Sequence, residues 1–345
     1  MCQTHEYADA YALAELPWFT LKEGRIVLED SSVEPAVDVH THLALAYGRP
    51  MQVDLWQEHP QTEHYLPLER RLDMDTYVNR NFTDDDLTRM KRDLTLGSLG
   101  AGGMRRTHTA PNLMREMADM GVGLSILLPI ELPGISRNAE TYLDVAERAP
   151  TLLSMGSVHP WSNDVAGRLA TQKTLGALGV KVHPAVQMVA PDDERAMALY
   201  RVCAELDLPV LWHCGPVGIE PRLGRYLSHL KHYWPAIHAN PRTTFILGHS
   251  GALQMEMALD LCRAYPNVWM EMSSQSATNV KRIVREAPPE RVLFGSDWPF
   301  YHQAIPLAKV LEATEGDPGA RRRVLWENAA RLFGLTREQV FASRS

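Results

Sequence analysis

Short apolar runs recur along the chain, and each ends abruptly at glycine, proline or another turn-forming residue. Unbroken apolar runs of this length, rich in β-branched residues, are typical of strands that are buried on both faces. The pattern therefore predicts eight strands, at 36–43, 121–130, 152–159, 179–183, 208–214, 243–249, 268–273 and 291–297.

Most of these runs are separated by stretches in which apolar residues recur at helical spacing. Residues 192–206 are an example, because Ala196, Leu199, Tyr200 and Cys203 share one face. The sequence Pro191-Asp-Asp-Glu before them is typical of a helix start with acidic residues in its first turn. Strands that alternate with helices indicate βαβ units and a parallel sheet. We therefore expect an α/β fold, a (β/α)8 barrel formed by a single domain over 1–345, with its site at the carboxyl ends of the strands.

Two segments depart from this repeat. Residues 14–33 hold two β-rich stretches around Lys22-Glu-Gly24, which predicts a hairpin ahead of the first barrel strand. Residues 44–106, between the first strand and the first barrel helix, are far longer than an ordinary βα loop. Because this insertion leaves the catalytic face of the barrel, it is a candidate cap over the site. The alternative is a decoration that faces outward.

Composition narrows the class of protein. The chain has 345 residues, 45% of them hydrophobic and 22% charged, and a net charge of −7, which argues against a nucleic-acid surface. The first residues lack the features of a signal peptide, no run is long enough to span a membrane, and the four cysteines show no paired spacing. We expect a cytoplasmic protein that binds a small-molecule substrate but neither nucleic acid nor membrane, and we leave homo-oligomer formation open.

The segment Asp38-Val-His-Thr-His42 carries the first candidate chemistry. His40 and His42 are two residues apart on a strand, so their side chains should point to the same face. Inside a barrel, such a pair can share one metal ion, with Asp38 deeper in the strand as a brace. The alternative is a pair of buried histidines whose hydrogen bonds are satisfied within the core and which bind no metal.

Three further residues end apolar runs next to turn-forming residues: His213, His249 and Asp297. A carboxylate at the end of so apolar a strand needs a partner such as a metal. Cys214 should point away from the neighbouring His213 and is not counted as a ligand. Two histidines from one strand, one from another and an aspartate provide the ligands of an open, zinc-type catalytic site.

Lys181 lies in the segment Lys181-Val-His-Pro184 and should point into the barrel, where an ammonium group is costly. It either pairs with acidic groups or is carboxylated by carbon dioxide, which would turn it into an anionic ligand that bridges two metals. His183, nearer the rim, is expected to contact substrate or to cap a loop.

Six motifs together resemble the amidohydrolase superfamily, and within it the amidohydrolase 2 family, which includes aminocarboxymuconate-semialdehyde decarboxylase. They lie between 179 and 335, and the resemblance is also present at 36–43. The six are Gly-Val-Lys-Val-His-Pro, Leu-Pro-Val-Leu-Trp-His-Cys-Gly, Phe-Ile-Leu-Gly-His-Ser-Gly, Pro-Asn-Val-Trp-Met-Glu-Met-Ser, Val-Leu-Phe-Gly-Ser-Asp-Trp-Pro and Asn-Ala-Ala-Arg-Leu-Phe-Gly-Leu. The insertion 44–106 matches none of the family's motifs.

The resemblance implies a divalent-metal enzyme, with zinc as the expected metal. It assigns His40, His42, His213 and Asp297 as ligands. In members with one metal, the histidine at the His249 position acts as acid or base. In members with two, a carboxylated lysine at the position of Lys181 bridges the metals and His249 binds the second. The number of metals therefore stays open: two if Lys181 is carboxylated, otherwise one.

Three functions remain from the sequence. The leading one is a hydrolase of a small-molecule amide, lactone or ester that uses metal-activated water, with Asp297 and His249 as catalytic residues. The alternative is a non-oxidative, metal-dependent decarboxylase of an unsaturated or aromatic acid. The third is a barrel that binds without catalysis. Lys181 favours hydrolysis, whereas an arginine that clamps a substrate carboxylate would favour decarboxylation.

Substrate contacts are the least determined part. The candidates for an arginine clamp are Arg105, Arg106, Arg222 and Arg225. We assign substrate binding to His183 and Arg222. The segment 216–240 is rich in histidine and aromatic residues, and it either determines the substrate or forms a polar helix with its turn.

Overall fold

A computed structural model describes residues 5–47, 49–132 and 136–342. Cys2 and the rest of Met1–Thr4, which the expectation about a signal peptide concerns, lie outside the described residues. Gly48 of the insertion does so as well.

All eight predicted barrel strands are present, and each lies inside its predicted run. The strands are β1 (Glu6–Tyr7), β2 (Phe19–Lys22), β3 (Arg25–Leu28), β4 (Ala36–Thr41), β5 (Leu72–Asp73), β6 (Val122–Leu127), β7 (Leu152–Ser154), β8 (Val180–Val182), β9 (Val210–His213), β10 (Phe245–Gly248), β11 (Val268–Glu271) and β12 (Val292–Leu293). The barrel strands are β4 and β6 to β12.

The helices alternate with the barrel strands, as the helical spacing predicted. They are α1 (Asp84–Leu94), α2 (Ala110–Met120), α3 (Asn138–Arg148), α4 (Val165–Thr174), α5 (Pro184–Gln187), α6 (Glu194–Glu205), α7 (Arg222–Leu227), α8 (Tyr233–Ala239), α9 (Met255–Ala264), α10 (Ala277–Glu286), α11 (Ala304–Ala313), α12 (Pro318–Arg322), α13 (Asn328–Phe333) and α14 (Arg337–Phe341). None of the helices in the described ranges combines the length and the apolar character that crossing a bilayer requires.

The parallel strands form two sheets, in the orders β4-β6-β7 and β8-β9-β10-β11-β12. Isolated bridges join them at both edges, from Gly156 to Val180 and from Thr41 to Trp298. At the second edge, the amide of Asp297 also donates to the carbonyl of His40 at 2.8 Å. The strand order thus returns to its start, as in a (β/α)8 barrel, although the regular strand pairing is reduced to an isolated bridge at each of these two places. We call the edge between β4 and the segment after β12 the seam.

Strand β4 is irregular at the His-x-His motif. Three steps along β4, from Asp38 to Thr41, match only two steps along β6, which is a bulge. The carboxylate of Asp38 accepts the amide of His40 at 3.1 Å and the amide of Ser296, across the seam, at 2.9 Å. Asp38 therefore does brace the histidine pair, but it does so through backbone amides and not through the imidazoles.

The predicted hairpin is confirmed. Strands β2 and β3 are antiparallel, with Lys22 opposite Arg25. Glu23 and Gly24 between them both have positive φ, 52° and 75°, as the two-residue turns that suit the twist of a hairpin require. The guanidinium of Arg25 donates to Asp119 of α2 at 2.9 Å, which ties the hairpin to the first barrel helix.

The insertion packs against loops that follow three barrel strands. The amide of Leu66 donates to the carbonyl of Phe300, after β12, at 2.9 Å. The amide of Val78 donates to the carbonyl of Ser274, after β11, at 3.0 Å, and the side chain of Asn79 donates to the carbonyl of Val217, after β9, at 3.3 Å. All three loops leave the carboxyl ends of the strands, so the insertion lies on the face where the site was expected.

The carboxyl-terminal helix α14 packs tightly on β6. A Cβ atom at Gly123 would lie 2.0 Å from the backbone carbonyl oxygen of Val340. We expect Gly123→Ala to lower the free energy of unfolding by about 1–3 kcal/mol, because backbone has to move to relieve this contact. Thermal and denaturant unfolding monitored by circular dichroism would measure the change.

The matched control is Gly102→Ala, since a Cβ atom there would have no neighbour within 4 Å. Its free energy of unfolding should stay within about 0.5 kcal/mol of the wild type. Equal stability of the two variants would contradict the packing of α14 on β6.

Candidate metal centre

The strand ends bring the six predicted residues into one buried cluster. The Nζ atom of Lys181 lies 3.3 Å from Nε2 of His40. One carboxylate oxygen of Asp297 lies 3.5 Å from Nε2 of His40 and 3.5 Å from Nε2 of His42. Nε2 of His249 lies 3.1 Å from Nδ1 of His213, and the rings of His40 and His249 are 4.6 Å apart. The structure therefore brings these residues together as the sequence predicts.

The histidines of the His-x-His motif each have one nitrogen fixed by a neighbour. Nδ1 of His40 lies 2.6 Å from a carboxylate oxygen of Glu271, and Nδ1 of His42 lies 2.8 Å from the carbonyl oxygen of Leu128. Both acceptors require the proton on Nδ1, which leaves the lone pair of each Nε2 directed at Asp297. This is the arrangement of metal-binding histidines. His40, His42 and Asp297 therefore fit one divalent cation.

The charge state of the imidazoles also suits a metal. Burial, helped by the positive charge of Lys181, holds the pKa of His40 well below its ordinary value. The same two causes lower the pKa of His213 to about 3. Imidazole binds metal in its neutral form, so these histidines need not lose a proton when a cation arrives.

The two carboxylate oxygens of Asp297 have different surroundings. One faces the histidine pair, and the other accepts the hydroxyl of Tyr301 at 3.0 Å and the hydroxyl of Ser274 at 3.5 Å. The backbone of Asp297 is left-handed, with φ of 63°. Such a conformation is uncommon outside glycine and persists where neighbours hold it. The carboxylate is thus held in one orientation from both its side chain and its backbone.

Lys181 is buried, and its Nζ atom contacts the imidazole of His40. Within the described ranges it forms no ion pair with a carboxylate at 4.0 Å or less. Burial lowers its pKa to about 8, although the charges of Asp297 and Glu271 act in the opposite direction. The acid-paired arrangement that the sequence left open is therefore absent here, and Nζ contacts the same nitrogen of His40 that faces Asp297.

His213, His183 and His249 form a second group beside the first. The ring of His183 stacks on that of His213 at 4.0 Å, and the hydroxyl of Tyr233 donates to the carbonyl of His213 at 2.6 Å. Nδ1 of His249 lies 2.8 Å from the hydroxyl of Ser273. His40, His249 and Glu271 also have ligand atoms close enough to hold one cation. His213 adjoins this group through His249 and is one step removed from the group of His40, His42 and Asp297.

Glu271 is a site residue that the sequence reasoning missed. Its carboxylate accepts from His40, from the amide of His249 at 3.0 Å, and from both the amide and the hydroxyl of Ser273. Burial raises its pKa to about 7, and the bonds from His249 and Ser273 oppose that rise. It ends the apolar run Val268-Trp-Met-Glu, so the argument that singled out Asp297, a carboxylate at the end of a buried strand, could have found it.

The candidate arginine clamps have other partners or lie at the surface. Arg105 is buried and donates to the backbone carbonyls of Leu45, Gly97 and Gly100, so it holds the insertion together. Arg106 is exposed and pairs with Glu63 at 3.1 Å. Arg225 lies at the surface, 3.7 Å from Glu220. Arg222 is exposed at the start of α7. Arg105 is therefore not available to a substrate, and the assignment of Arg222 to substrate binding stays a prediction.

The segment 216–240 contributes mainly structure. His232 bonds Asp192 at 2.9 Å, and Trp234 donates to the hydroxyl of Tyr265 at 2.6 Å. Nε2 of His229 pairs with the side chain of Gln254 at 2.8 Å. Of its aromatic residues, Tyr233 reaches the centre, through the backbone of His213. The buried Cys214 packs in the hydrophobic core, as expected.

Comparison with known proteins places this geometry in a known group. A family model described as amidohydrolase matches residues 133–335. A 4-sulfomuconolactone hydrolase from Rhizobium radiobacter is 24% identical over 266 residues, which are 67% of this chain and 84% of that protein.

Two solved structures resemble the fold. One is 2,6-dihydroxybenzoate decarboxylase complexed with 2,6-dihydroxybenzoate, with a TM-score of 0.60, 15% identity, and coverage of 88% of this chain and 100% of that one. The other is 5-carboxyvanillate decarboxylase from Novosphingobium aromaticivorans, complexed with manganese and a nitrobenzoic acid derivative, with a TM-score of 0.56, 15% identity, and coverage of 86% and 99%.

The role of Glu271 leads to a test. In Glu271→Gln, an NH2 group replaces one of the two carboxylate oxygens. Each oxygen accepts at least one N–H donor in the wild type, so in either orientation of the amide the NH2 group faces a donor and that hydrogen bond is lost. We expect this to release the ring of His40 and to weaken divalent-metal binding by about 10–100-fold. Titration of the metal-free protein with zinc, followed by calorimetry, would measure the dissociation constant.

Glu315→Gln is the control, because Glu315 is exposed, and it should bind zinc as the wild type does. Unchanged affinity in a folded Glu271→Gln variant would show that Glu271 does not orient a ligand.

Proposed function

We propose, because the chain belongs to the amidohydrolase family of enzymes, that it is a metal-dependent hydrolase of a small-molecule lactone, amide or ester. The observation that carries the proposal is the position of Lys181, buried without a carboxylate partner and 3.3 Å from the metal-facing nitrogen of His40. The 4-sulfomuconolactone hydrolase among its relatives supports this choice. A small substrate suits the site, because five of the six candidate ligands are buried and the insertion packs on the same face of the barrel.

The metal site would consist of His40, His42 and Asp297, with Lys181, His213 and His249 completing a second position. A divalent metal bound there, for which we propose zinc, supplies Lewis-acid activation of a water molecule and of the substrate carbonyl. The ligands are of the nitrogen and oxygen types that zinc accepts. Manganese, which the 5-carboxyvanillate decarboxylase structure contains, is the alternative.

Asp297 would act as the general base and then as the general acid. Its oxygen near the histidine pair can take a proton from the attacking water, while Tyr301 holds the other oxygen at 3.0 Å and so limits rotation of the carboxylate. After attack, the same group returns the proton to the leaving alkoxide or amine. A group that does both steps has to remain in one orientation, which is what the bonds around Asp297 provide.

Lys181 would be carboxylated. Its ammonium first loses a proton to solvent. The neutral amine nitrogen then bonds to the carbon of carbon dioxide, one C=O bond becomes a C–O− single bond, and the nitrogen releases a second proton to solvent, which leaves a carbamate anion. Only a neutral amine can do this, and burial favours the neutral form of Lys181. The carbamate would provide oxygen ligands between His40 and the group of His213 and His249, where the uncharged imidazoles supply no negative charge to balance two metals.

The second candidate is a non-oxidative decarboxylase. The likeness to two decarboxylases over nearly the whole chain favours it. With one metal, His249 would not be a ligand and could act as acid or base. Ser273 would orient the ring through Nδ1, from which it lies 2.8 Å away. Against it stands Arg105, whose bonds to three backbone carbonyls leave the strongest buried candidate for a carboxylate clamp engaged elsewhere.

We expect Asp297→Asn to abolish turnover without loss of the fold, because an amide cannot accept the proton. Wild-type and variant would be assayed on lactones, by acid release, and on dihydroxybenzoates, by carbon dioxide release. The proposal predicts acid release from a lactone by the wild type alone.

Asp260→Asn is the control, since Asp260 is 80% exposed, and should keep full activity. Carbon dioxide release from a dihydroxybenzoate, with no lactone opened, would favour the decarboxylase. Near-wild-type turnover by Asp297→Asn would remove Asp297 from the chemistry.

We also expect about two metal ions per chain in protein purified with zinc and bicarbonate, falling to about one in Lys181→Ala. Elemental analysis measures the metals, and intact-protein mass spectrometry under mild conditions detects the added carbon dioxide. Lys22→Ala, at an exposed lysine, is the control and should keep both ions. One tightly bound metal with Lys181 unmodified would contradict the binuclear site and favour the decarboxylase.

A further inference from the structure

Two buried polar groups beside the metal centre lack a hydrogen-bond partner in the described part of the chain. One is the hydroxyl of Tyr77, which comes from the insertion, and the other is the carboxylate of Glu220, from the loop between β9 and α7. The side chain of Glu220 is 9% exposed, and Tyr77 is 6% exposed. The cation nearest Glu220 is the guanidinium of Arg225 at 3.7 Å, beyond hydrogen-bond distance.

Both groups lie on segments that hydrogen bonds attach to the loops around the metal centre. Val78, next to Tyr77, donates its amide to the carbonyl of Ser274, and Asn79 donates to the carbonyl of Val217 in the loop that contains Glu220. The charged groups that act on Tyr77 show that its hydroxyl lies close to the centre. Burial raises the pKa of Tyr77 well above the ordinary value, the charges of Asp297, Glu271 and Glu220 raise it further, and the contact with the Ser274 side chain opposes that rise.

A buried polar group without a partner lowers the stability of a protein, and native structures contain few of them. Here one unpaired group is a donor and the other is an acceptor, and they come from separate segments of the chain. Neither bonds the other, and the hydroxyl of Tyr77 faces Ser274 without a hydrogen bond of normal geometry. The donor and the acceptor together match a ligand group that can accept a hydrogen bond from one and donate a hydrogen bond to the other.

We propose that Tyr77 and Glu220 bind a hydroxyl group of the substrate. A hydroxyl is both donor and acceptor, so it can donate to the carboxylate of Glu220 and accept from the phenol of Tyr77 at the same time. This inference rests on the proposed hydrolase and narrows its substrates to hydroxyl-bearing ones. A substrate carboxylate at the same position would be repelled by Glu220, so the pair selects against a second acid group there.

The test compares γ-butyrolactone with its two monohydroxylated derivatives, carrying the hydroxyl at the α or the β carbon. Dissociation constants come from calorimetric titration of zinc-loaded protein in the Asp297→Asn background, which is expected not to turn the lactones over, and acid release by protein with Asp297 intact reports turnover. We expect at least one hydroxylated lactone to bind about tenfold or more tightly than γ-butyrolactone. That preference should fall below about threefold in Tyr77→Phe and in Glu220→Met.

The melting temperature of the ligand-free variants separates recognition from a structural role. Because each substitution removes a buried polar group without a partner, both variants should melt at the wild-type temperature or above it. The controls are Tyr226→Phe and Glu147→Gln, at exposed positions, which should keep the preference for the hydroxylated lactone.

The outcomes distinguish this inference from the proposed function. Equal affinities for all three lactones, or no measurable binding of either hydroxylated one, would overturn the inference, as would a lowered melting temperature in both variants. Hydrolysis without the preference would leave the hydrolase standing and remove the role of the pair. Preferential binding without acid release would support the pair and contradict the hydrolase.

Discussion

The carboxylate of Glu271 is the acceptor on which the candidate metal centre depends. It fixes the ring of His40 through Nδ1, and through the amide of His249 it holds a residue whose backbone is left-handed, with φ of 55°. The hydroxyl of Ser273 bonds both Glu271 and His249. One buried charge thus sets the direction of two imidazoles from different strands. Strand β11 supplies Glu271 and so organises the centre, although the carboxylate that faces the Nε2 atoms of the histidine pair, that of Asp297, follows β12.

A second set of polar bonds holds the seam. Gln303 donates to Asp38 through its side chain at 2.7 Å and to Glu116 through its backbone at 2.7 Å. Glu116 also accepts from the indole of Trp298 at 3.1 Å and pairs with His64 of the insertion at 2.9 Å. The insertion is therefore connected to the residues beside Asp297 through Glu116 of α2, in addition to its contacts with the loops.

Much of the fold could be predicted from the sequence because the information was local. The barrel strands are buried on both faces, so each is an apolar run with sharp ends, and the turn of the hairpin needs the positive φ that Gly24 adopts readily. The convergence of His40, His42 and Asp297 followed from the rule that parallel strands share one functional edge. These inferences needed no knowledge of which residues touch across the barrel.

The rest could not be read from the sequence, because it depends on contacts between distant segments. Arg105 was a candidate for substrate binding, and its burial against backbone carbonyls of the insertion has no local signal. Tyr77 was one aromatic residue among several in a segment without recognisable motifs. The left-handed backbone of His249 and Asp297 is imposed by neighbours and opposes local preference. Functional sites are where such conflicts between local and overall structure are expected.

At the seam, the pairing between strands is reduced to one isolated bridge and a few backbone hydrogen bonds, so a metal held there would add to the interactions that join the two edges. His40 and His42 belong to the first strand of the circuit, and Asp297 follows the last, so a cation held by all three would join the two ends of the barrel. Its binding free energy would then count toward the free energy of folding. The supply of metal would therefore affect the stability of the folded protein as well as its activity.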